Sequence, residues 1–380
     1  MKINALIAEF NPFHRGHKLL VDSMKQESDG VIAVMSGNFV QRGECAVFEK
    51  GERAVAAVNN GVDLVLELPS VYALSSAEGF AKGGVQTLSS CGVVDELWFG
   101  SECGDIEKLS LCADILNEET PLFREKLSEK LREGFSFPAA REMALGEIIP
   151  EGNILSEPNN TLAVEYIKEI KKFGTTIIPK TIKRMGSGYN DTDTGVEIAS
   201  ASGIRRLLSE GGSAEGHMLY NHKNAPVFMN NFDVIVAARL KAISKSELCL
   251  IPDCNEEIAS RLKEASVFNT FDEIVSAASC KSYTQSRLRR ILCNMITGNN
   301  FHSLPVPTYI RPLAFDEKGG EILKKMKSTA SLPIASRGAV LKNDEIFGFE
   351  CRCTDIYNLA RGMKGGMEFD RAVDIIENTF

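Results

Sequence analysis

Long apolar runs are missing from this chain of 380 residues, and none approaches the roughly 18 to 20 residues needed to cross a bilayer. The first residues carry neither the charged nor the apolar region of a secretory signal, so the expected location is the cytoplasm. Cysteine pairing is missing too. The ten cysteines are scattered, and the nearest neighbours, Cys249 with Cys254 and Cys351 with Cys353, match neither a zinc ribbon nor a redox CxxC. They are expected to be free thiols of a reducing compartment. An excess of basic charge is also missing, since 43 Lys and Arg face 51 Asp and Glu, a formal net charge of −8. That argues against nucleic acid unless positive charge is gathered locally. Repeats and low-complexity tracts are absent. What remains is an ordinary globular composition, 44% hydrophobic and 25% charged, long enough for two or three domains.

Strand-like and helix-like segments alternate over the first 210 or so residues. Ile3 to Ile7, Val31 to Met35, Asp63 to Leu68 and Glu96 to Gly100 read as strands, and Thr175 to Arg184 as a fifth. Helical segments at about 16–26, 50–60 and 77–90 fall between them, the last with small residues and glycine. Such alternation predicts an α/β fold, a doubly wound parallel sheet covered on both faces. Polar helices at 105–147 look like an insertion or lid. Ser156 and Pro158 then signal the start of a helix. After about residue 215 the alternation fades into mainly helical sequence, for example 255–265 and 284–297, which places a domain boundary near 215–230.

The segment "AEFNPFHRGHKLL", Ala8 to Leu20, sits where the first strand stops, the edge at which open α/β sheets bind ligands. Its histidines, His14 and His17, can donate hydrogen bonds to an α-phosphate held at the start of the following helix. Gly16 keeps a Cβ out of the way. A zinc reading lacks the further ligands, and two satisfied core histidines would be the plain structural account. "SGNFVQRGE" follows the second strand with Arg42, able to hold phosphate or acetate. Lys183 and Arg184 end the fifth strand as a potential phosphate clamp. In "IASASGIRRLL", Ser200 and Ser202 can cap a helix and bond phosphate, and Arg205 can neutralise a departing pyrophosphate.

These segments resemble the HxGH nucleotidyltransferase superfamily. Together, "EFNPFHRGH", "SGNFVQRGE", "DLVLELPSVYALSSAEGFA", "PNNTLAVEYIK" and "TIKRMGSGYND" resemble the tRNA-Met cytidine acetate ligase family. The resemblance implies a Rossmann-like sheet of the HUP type with a mainly helical C-terminal domain. It divides the chain into a catalytic region at 1–215 and a tRNA-binding region at 225–380. It further implies an enzyme that activates acetate with ATP as acetyl-adenylate, Mg²⁺ travelling with the triphosphate, and acetylates N4 of the wobble cytidine in the anticodon loop of elongator tRNA-Met.

By the same resemblance His14, His17 and Arg205 are catalytic. ATP would lie along Ile7, Ala8, Glu9, Phe10, Asn11, Pro12, Phe13, His14, Arg15, Gly16, His17, Lys18, Leu19 and Leu20. It would also contact Gly100, one or both of Asn159 and Asn160, Lys183, Arg184, Ser200 and Ser202. The two asparagines are expected to cap a helix as well. Gly203 stands where relatives commonly carry a bulkier residue. Lys281, Arg287, Arg289, Arg290, Arg311, Lys318, Lys324, Lys325 and Lys327 outnumber Asp316, Glu317 and Glu321, which suits a ribose-phosphate backbone. Two other readings stay open on the residues alone: an adenylyltransferase acting on a small phosphorylated metabolite, and a non-catalytic nucleotide- or RNA-binding protein.

Overall fold

The computed structural model describes residues 1–149, 154–184, 200–369 and 371–376. Its strands are β1 (Ile3–Ala8), β2 (Gly30–Ser36), β3 (Phe39–Val40), β4 (Glu44–Cys45), β5 (Leu64–Leu68), β6 (Glu96–Ser101), β7 (Ile178–Lys183), β8 (Pro312–Phe315) and β9 (Asp374–Ile375). Seven form one sheet in the order β7-β6-β1-β2-β5-β8-β9, while β3 and β4 make a small hairpin. From β7 to β5 every pairing is parallel. The five strands expected from apolar runs are all present, and the α/β class holds.

Side-chain alternation explains why the sheet is buried on both faces. Ile3, Ala5, Ile32, Val34, Leu64 and Leu66 point into one core. Leu6, Val31, Ala33, Met35 and Val65 point into the other. Helices α1 (Arg15–Gln26) and α2 (Lys50–Asn59) cover the second face. The Ala77–Cys91 and Pro158–Phe173 helices cover the first. Glycine sets how closely the Ala77–Cys91 helix can sit: a Cβ on Gly84 would stand 2.6 Å from the Ile7 side chain, and one on Gly83 2.3 Å from Tyr72.

Helix boundaries follow their caps. Ser76 accepts from Gly79 N at 3.3 Å, and Asp105 from the amides of Glu107 and Lys108 at 3.1 Å. Thr284 caps Gln285–Thr297. Ser156 is not a cap, because it lies in the 3₁₀ turn Ile154–Ser156 and Pro158 takes the first helical position. The insertion consists of the Ile106–Glu118, Pro121–Arg132 and Phe137–Gly146 helices.

The later part of the chain is mainly helical, yet it also returns to the sheet. β8 pairs antiparallel with β5, and β9 parallel with β8. Without β8, β5 would be an open edge. A buried ionic cluster holds this return. Lys50 Nζ lies 2.6 Å from Glu67, 2.8 Å from Glu350 and 3.0 Å from Glu368, all with side chains at most 1% exposed. Arg311 pairs with Glu67 at 3.3 Å and also with Glu368. The three carboxylates push Lys50 above the ordinary lysine range against the cost of burying it. No described helix is long and apolar enough to cross a membrane.

Replacing Lys50 by Met should lower unfolding stability by ~3–5 kcal/mol in denaturant titration, since it strands buried carboxylates without a counter-charge. Lys126→Met, which removes the exposed pair with Glu147 at 2.9 Å, should leave the denaturation midpoint nearly unchanged.

Candidate functional site

The site is built where β1 ends. Arg53 of α2 is fully buried. Its guanidinium donates to Phe48 O at 2.9 Å, to Ser36 O at 3.0 Å, and to the carbonyls of Glu9 and Gly37. One side chain thus gathers the carboxyl ends of β1 and β2, whose carbonyls have no further strand to bond. Beyond Glu9 the chain turns with Phe10 in a left-handed conformation, φ 44°, a sparsely populated backbone for a bulky residue. Phe10 and Phe13 are buried beneath His17, with ring centroids 5.0 and 5.5 Å from it. Asn11 Oδ1 accepts from Val47 N at 2.8 Å and ties the turn to the next loop.

His14 is the N-cap of α1. Its Nδ1 accepts from Gly16 N at 3.0 Å, and His17 Nδ1 accepts from His14 N at 3.3 Å. Each ring therefore keeps Nε2 as its N–H donor when neutral. The rings lie 3.9 Å apart, 31° from parallel. Burial, then Arg184 and Arg205, pushes His14 down to about 4. Burial, then His14 and Arg184, holds His17 well below the usual histidine range. Both are neutral donors at pH 7. Gly16 has a nearer reason to be glycine than an approaching phosphate, since a Cβ there would stand 2.8 Å from the His14 ring.

Arg205 donates to Asn11 O at 3.0 Å, so the Ala201–Ser209 helix delivers its guanidinium to the turn. Ser200 caps that helix through Gly203 N at 3.1 Å and lies 3.0 Å from Ser202 Oγ. Arg184 folds over Gly100, where a Cβ would meet its Cγ at 2.8 Å. Lys183 lies against Gly104 and is not among the charges acting on the histidines. Glu9, raised by burial and opposed by Arg205, Arg42 and Arg53, accepts from Gln41 N at 2.9 Å. His14, His17, Arg184, Arg205 and Glu9 therefore share one cleft at the sheet's carboxyl edge. Of the outer residues of the run, Lys18 pairs with Asp22, Arg15 donates to Gly216 O at 3.3 Å, and Leu19 is exposed. The loop "MGSGYND" and Ile198–Ala199 lie outside the described residues.

The capping expectation for Asn159 and Asn160 is corrected. They are the second and third residues of their helix, and the Glu102 carboxylate occupies the helix start. It accepts from Asn159 N at 3.3 Å and Asn160 N at 2.8 Å, and from Asn159 Nδ2 at 2.5 Å. Asn160 Oδ1 instead accepts from Cys103 N at 3.1 Å. Nothing local in "FGSE" signals this, because the partners lie 57 and 58 residues away.

The arginines counted toward an RNA surface are engaged within the protein. Arg287 donates to Asp253 O at 2.8 and 3.0 Å, and Arg289 pairs with Asp272 at 2.6 Å. Arg290 is buried against Gln41 O at 3.4 Å, and Arg311 belongs to the Lys50 cluster. Lys324, Lys325 and Lys327 stay exposed. Arg53 and Glu102 were missed by sequence reasoning. A charge inside the apolar helix "EKGERAVAAV" was the one available signal for Arg53.

A model of the HIGH Nucleotidyl Transferase family matches residues 1–368. The chain is 38% identical to a tRNA(Met) cytidine acetate ligase of Clostridium perfringens strain ATCC 13124, over 94% of this chain and 95% of that one. It is 40% identical to a protein of the same name from Thermoanaerobacter sp. strain X514, over 95% and 96%. A crystal structure of Thermotoga maritima TmcAL bound with alpha-thio ATP superposes with a TM-score of 0.90 at 31% identity, covering 100% of both chains. With its paired histidines at the end of β1 and relatives similar along nearly their whole length, the chain belongs to the tRNA(Met) cytidine acetate ligase family of HIGH nucleotidyl transferases.

Proposed function

We propose that this chain activates acetate with ATP and transfers the acetyl group to N4 of the wobble cytidine of elongator tRNA-Met. The observation that carries the chemistry is the pair of neutral imidazoles, His14 and His17, flanked by Arg184 and Arg205. Neutral N–H donors and fixed guanidinium charges, held in a partly dry cleft, suit the charge that builds on an α-phosphoryl group under attack. Acetate oxygen forms a bond to the α-phosphorus as the bond to pyrophosphate breaks, and Arg205 and Arg184, with Lys183, balance the leaving charge. The cytidine amine then attacks the acetyl carbonyl, loses a proton, and AMP departs with the former carboxylate oxygen. Glycine at position 100 suits the nucleoside end.

Among the described residues no group of three or more His, Cys, Asp or Glu could hold a metal ion. The cleft's own charges are mostly guanidinium, so Mg²⁺ fits only as an ion held by the triphosphate's oxygens and water, where it would add charge neutralisation. In this reading residues 1–215 carry the catalytic work and 225–380 help to seat the tRNA, in the cytoplasm where tRNA is found. The exposed lysines 324, 325 and 327 are better placed for phosphate than the engaged arginines.

Radiolabelled acetate with ATP and tRNA-Met should label the RNA without acetyl-CoA. A strict need for acetyl-CoA would overturn the reading. His17→Ala should slow acetate-dependent pyrophosphate release by about 10²–10³, with tRNA affinity in a filter-binding assay unchanged.

Protonation gives a further check. Burial, then Arg184 and Arg205, lowers His14 to about 4, whereas an unperturbed histidine titrates near 6.5. A bound triphosphate raises that value again. ATP-analogue binding should therefore take up protons between about pH 4 and 6.5, and calorimetry in buffers of different ionisation heat should show less uptake for His14→Asn.

A further inference from the structure

Acetyl transfer to a cytidine amine needs a group that takes up a proton. The nitrogen lone pair is delocalised into the ring, and its N–H turns acidic only as the bond to the acetyl carbon forms. Most groups at the end of β1 have nothing to accept with. His14 Nδ1 is engaged by Gly16 N and His17 Nδ1 by His14 N, so each neutral ring has only an N–H left to offer. Arg184 and Arg205 are guanidinium groups, which carry no acceptor. The Glu102 carboxylate is occupied on both oxygens by Asn159 and Asn160.

Glu9 is the exception. Its Oε1 accepts from Gln41 N at 2.9 Å, which fixes the carboxylate, while Oε2 has no hydrogen-bond partner among the described residues. That oxygen is not one of the unpartnered atoms sealed away from solvent, so a substrate can reach it.

Its surroundings tie it to the reacting centre. Arg205 acts on both Glu9 and His14. Phe10, the next residue, lies beneath His17 with ring centroids 5.0 Å apart. Burial, opposed by the Gln41 amide, Arg205, Arg42 and Arg53, leaves Glu9 above the ordinary glutamate range, which makes it a stronger base. Tyr166 does not compete. Burial, then Glu9, pushes its hydroxyl above the ordinary tyrosine range, so it keeps its proton. Cytosine presents its N4 amine as a donor, and a carboxylate is the side chain suited to accept from it.

We propose that Glu9 is a catalytic residue of the acetyl-transfer step: Oε2 accepts a hydrogen bond from the cytosine N4–H and takes that proton as the N4–C bond forms and the bond from the acetyl carbon to the AMP oxygen breaks. The proton then passes to solvent, and AMP leaves as its phosphate anion. The assignment rests on the acetyl-transfer reading above and supplies the base that this reading requires.

The test gives the full chain chemically made acetyl-adenylate, so that adenylation is bypassed, and follows single-turnover acetylation of tRNA-Met. Glu9→Gln keeps an oxygen for Gln41 N but removes the proton acceptor. Its transfer rate at saturating tRNA should fall by about 10²–10⁴, with the loss in the maximal rate rather than in the KM for tRNA. The wild-type rate should fall as pH drops through the Glu9 titration, because a protonated carboxyl takes no further proton. Arg42, Arg53, Arg205 and Tyr166 are the ionisable groups around it, and a guanidinium or tyrosine hydroxyl does not titrate in the acid range. That acid limb should vanish in Glu9→Gln and persist in Glu9→Asp, which retains a carboxylate. Transfer by Glu9→Gln at the wild-type rate, or an acid limb that survives in it, would overturn the assignment. A wild-type rate that stays level through the carboxylate range would do the same, whether or not Glu9→Gln folds. A wild-type chain that moves no acetyl group from acetyl-adenylate to tRNA-Met would sink the functional reading itself, and this assignment with it.

Discussion

Four backbone carbonyls converge on the guanidinium of Arg53, and the geometry of the cleft depends on that convergence. Parallel strands end with carbonyls that no neighbour satisfies, and burying them unpaired is costly. Arg53 satisfies those of Glu9, Ser36, Gly37 and Phe48 together. It does so as a desolvated cation, held somewhat below its ordinary range by burial and supported by the nearby charges of Glu49 and Glu9. The planar fork of five donors lets one side chain meet four carbonyls at once. The direction in which the chain leaves β1, and hence the position of both histidines, follows from this one clamp.

The same helix start couples the site to the far end of the chain. Glu49 caps α2 through Gly51 N at 2.8 Å and is bound by Arg371. Lys50, the next residue, meets carboxylates from β5, from the Glu345–Ala360 helix and from residue 368. Little more than one helical turn, Glu49 to Arg53, thereby ties the strand ends, the later helices and the C-terminal strands into one frame. Such buried ion networks add specificity of arrangement more reliably than net stability.

Charge in this molecule is organised against its own average. A chain of net charge −8 gathers Arg42, Arg53, Arg184 and Arg205 around one buried carboxylate and two histidines. Burial, with the guanidinium groups adding to it, keeps the imidazoles uncharged, so the site attracts an anion through fixed cations and offers it neutral donors. The arginine-rich helix Gln285–Thr297 works in the opposite sense. Its cations are engaged by the Asp253 carbonyl and Asp272 within the helical part of the chain, and by Glu44 and the Gln41 carbonyl, which fasten that part to the segment that follows β2.

Sequence alone determined what depends on local periodicity and local chemistry. Apolar runs of five or six residues fixed the parallel strands, and "NPFHRGH" placed two imidazoles at the end of the first because a histidine three residues before another closes its own helix cap. The resemblance of five separate segments fixed the family. Tertiary structure alone decided which charges are free to act. Arg205 and Asn11 are 194 residues apart and Glu102 and Asn160 58 apart. The cations of 287–290 look like a basic surface until their partners are seen. Periodicity reports the face on which a residue lies. Whether a charge on that face meets solvent, a carboxylate or a carbonyl depends on chain folded back from elsewhere, and no local pattern encodes that.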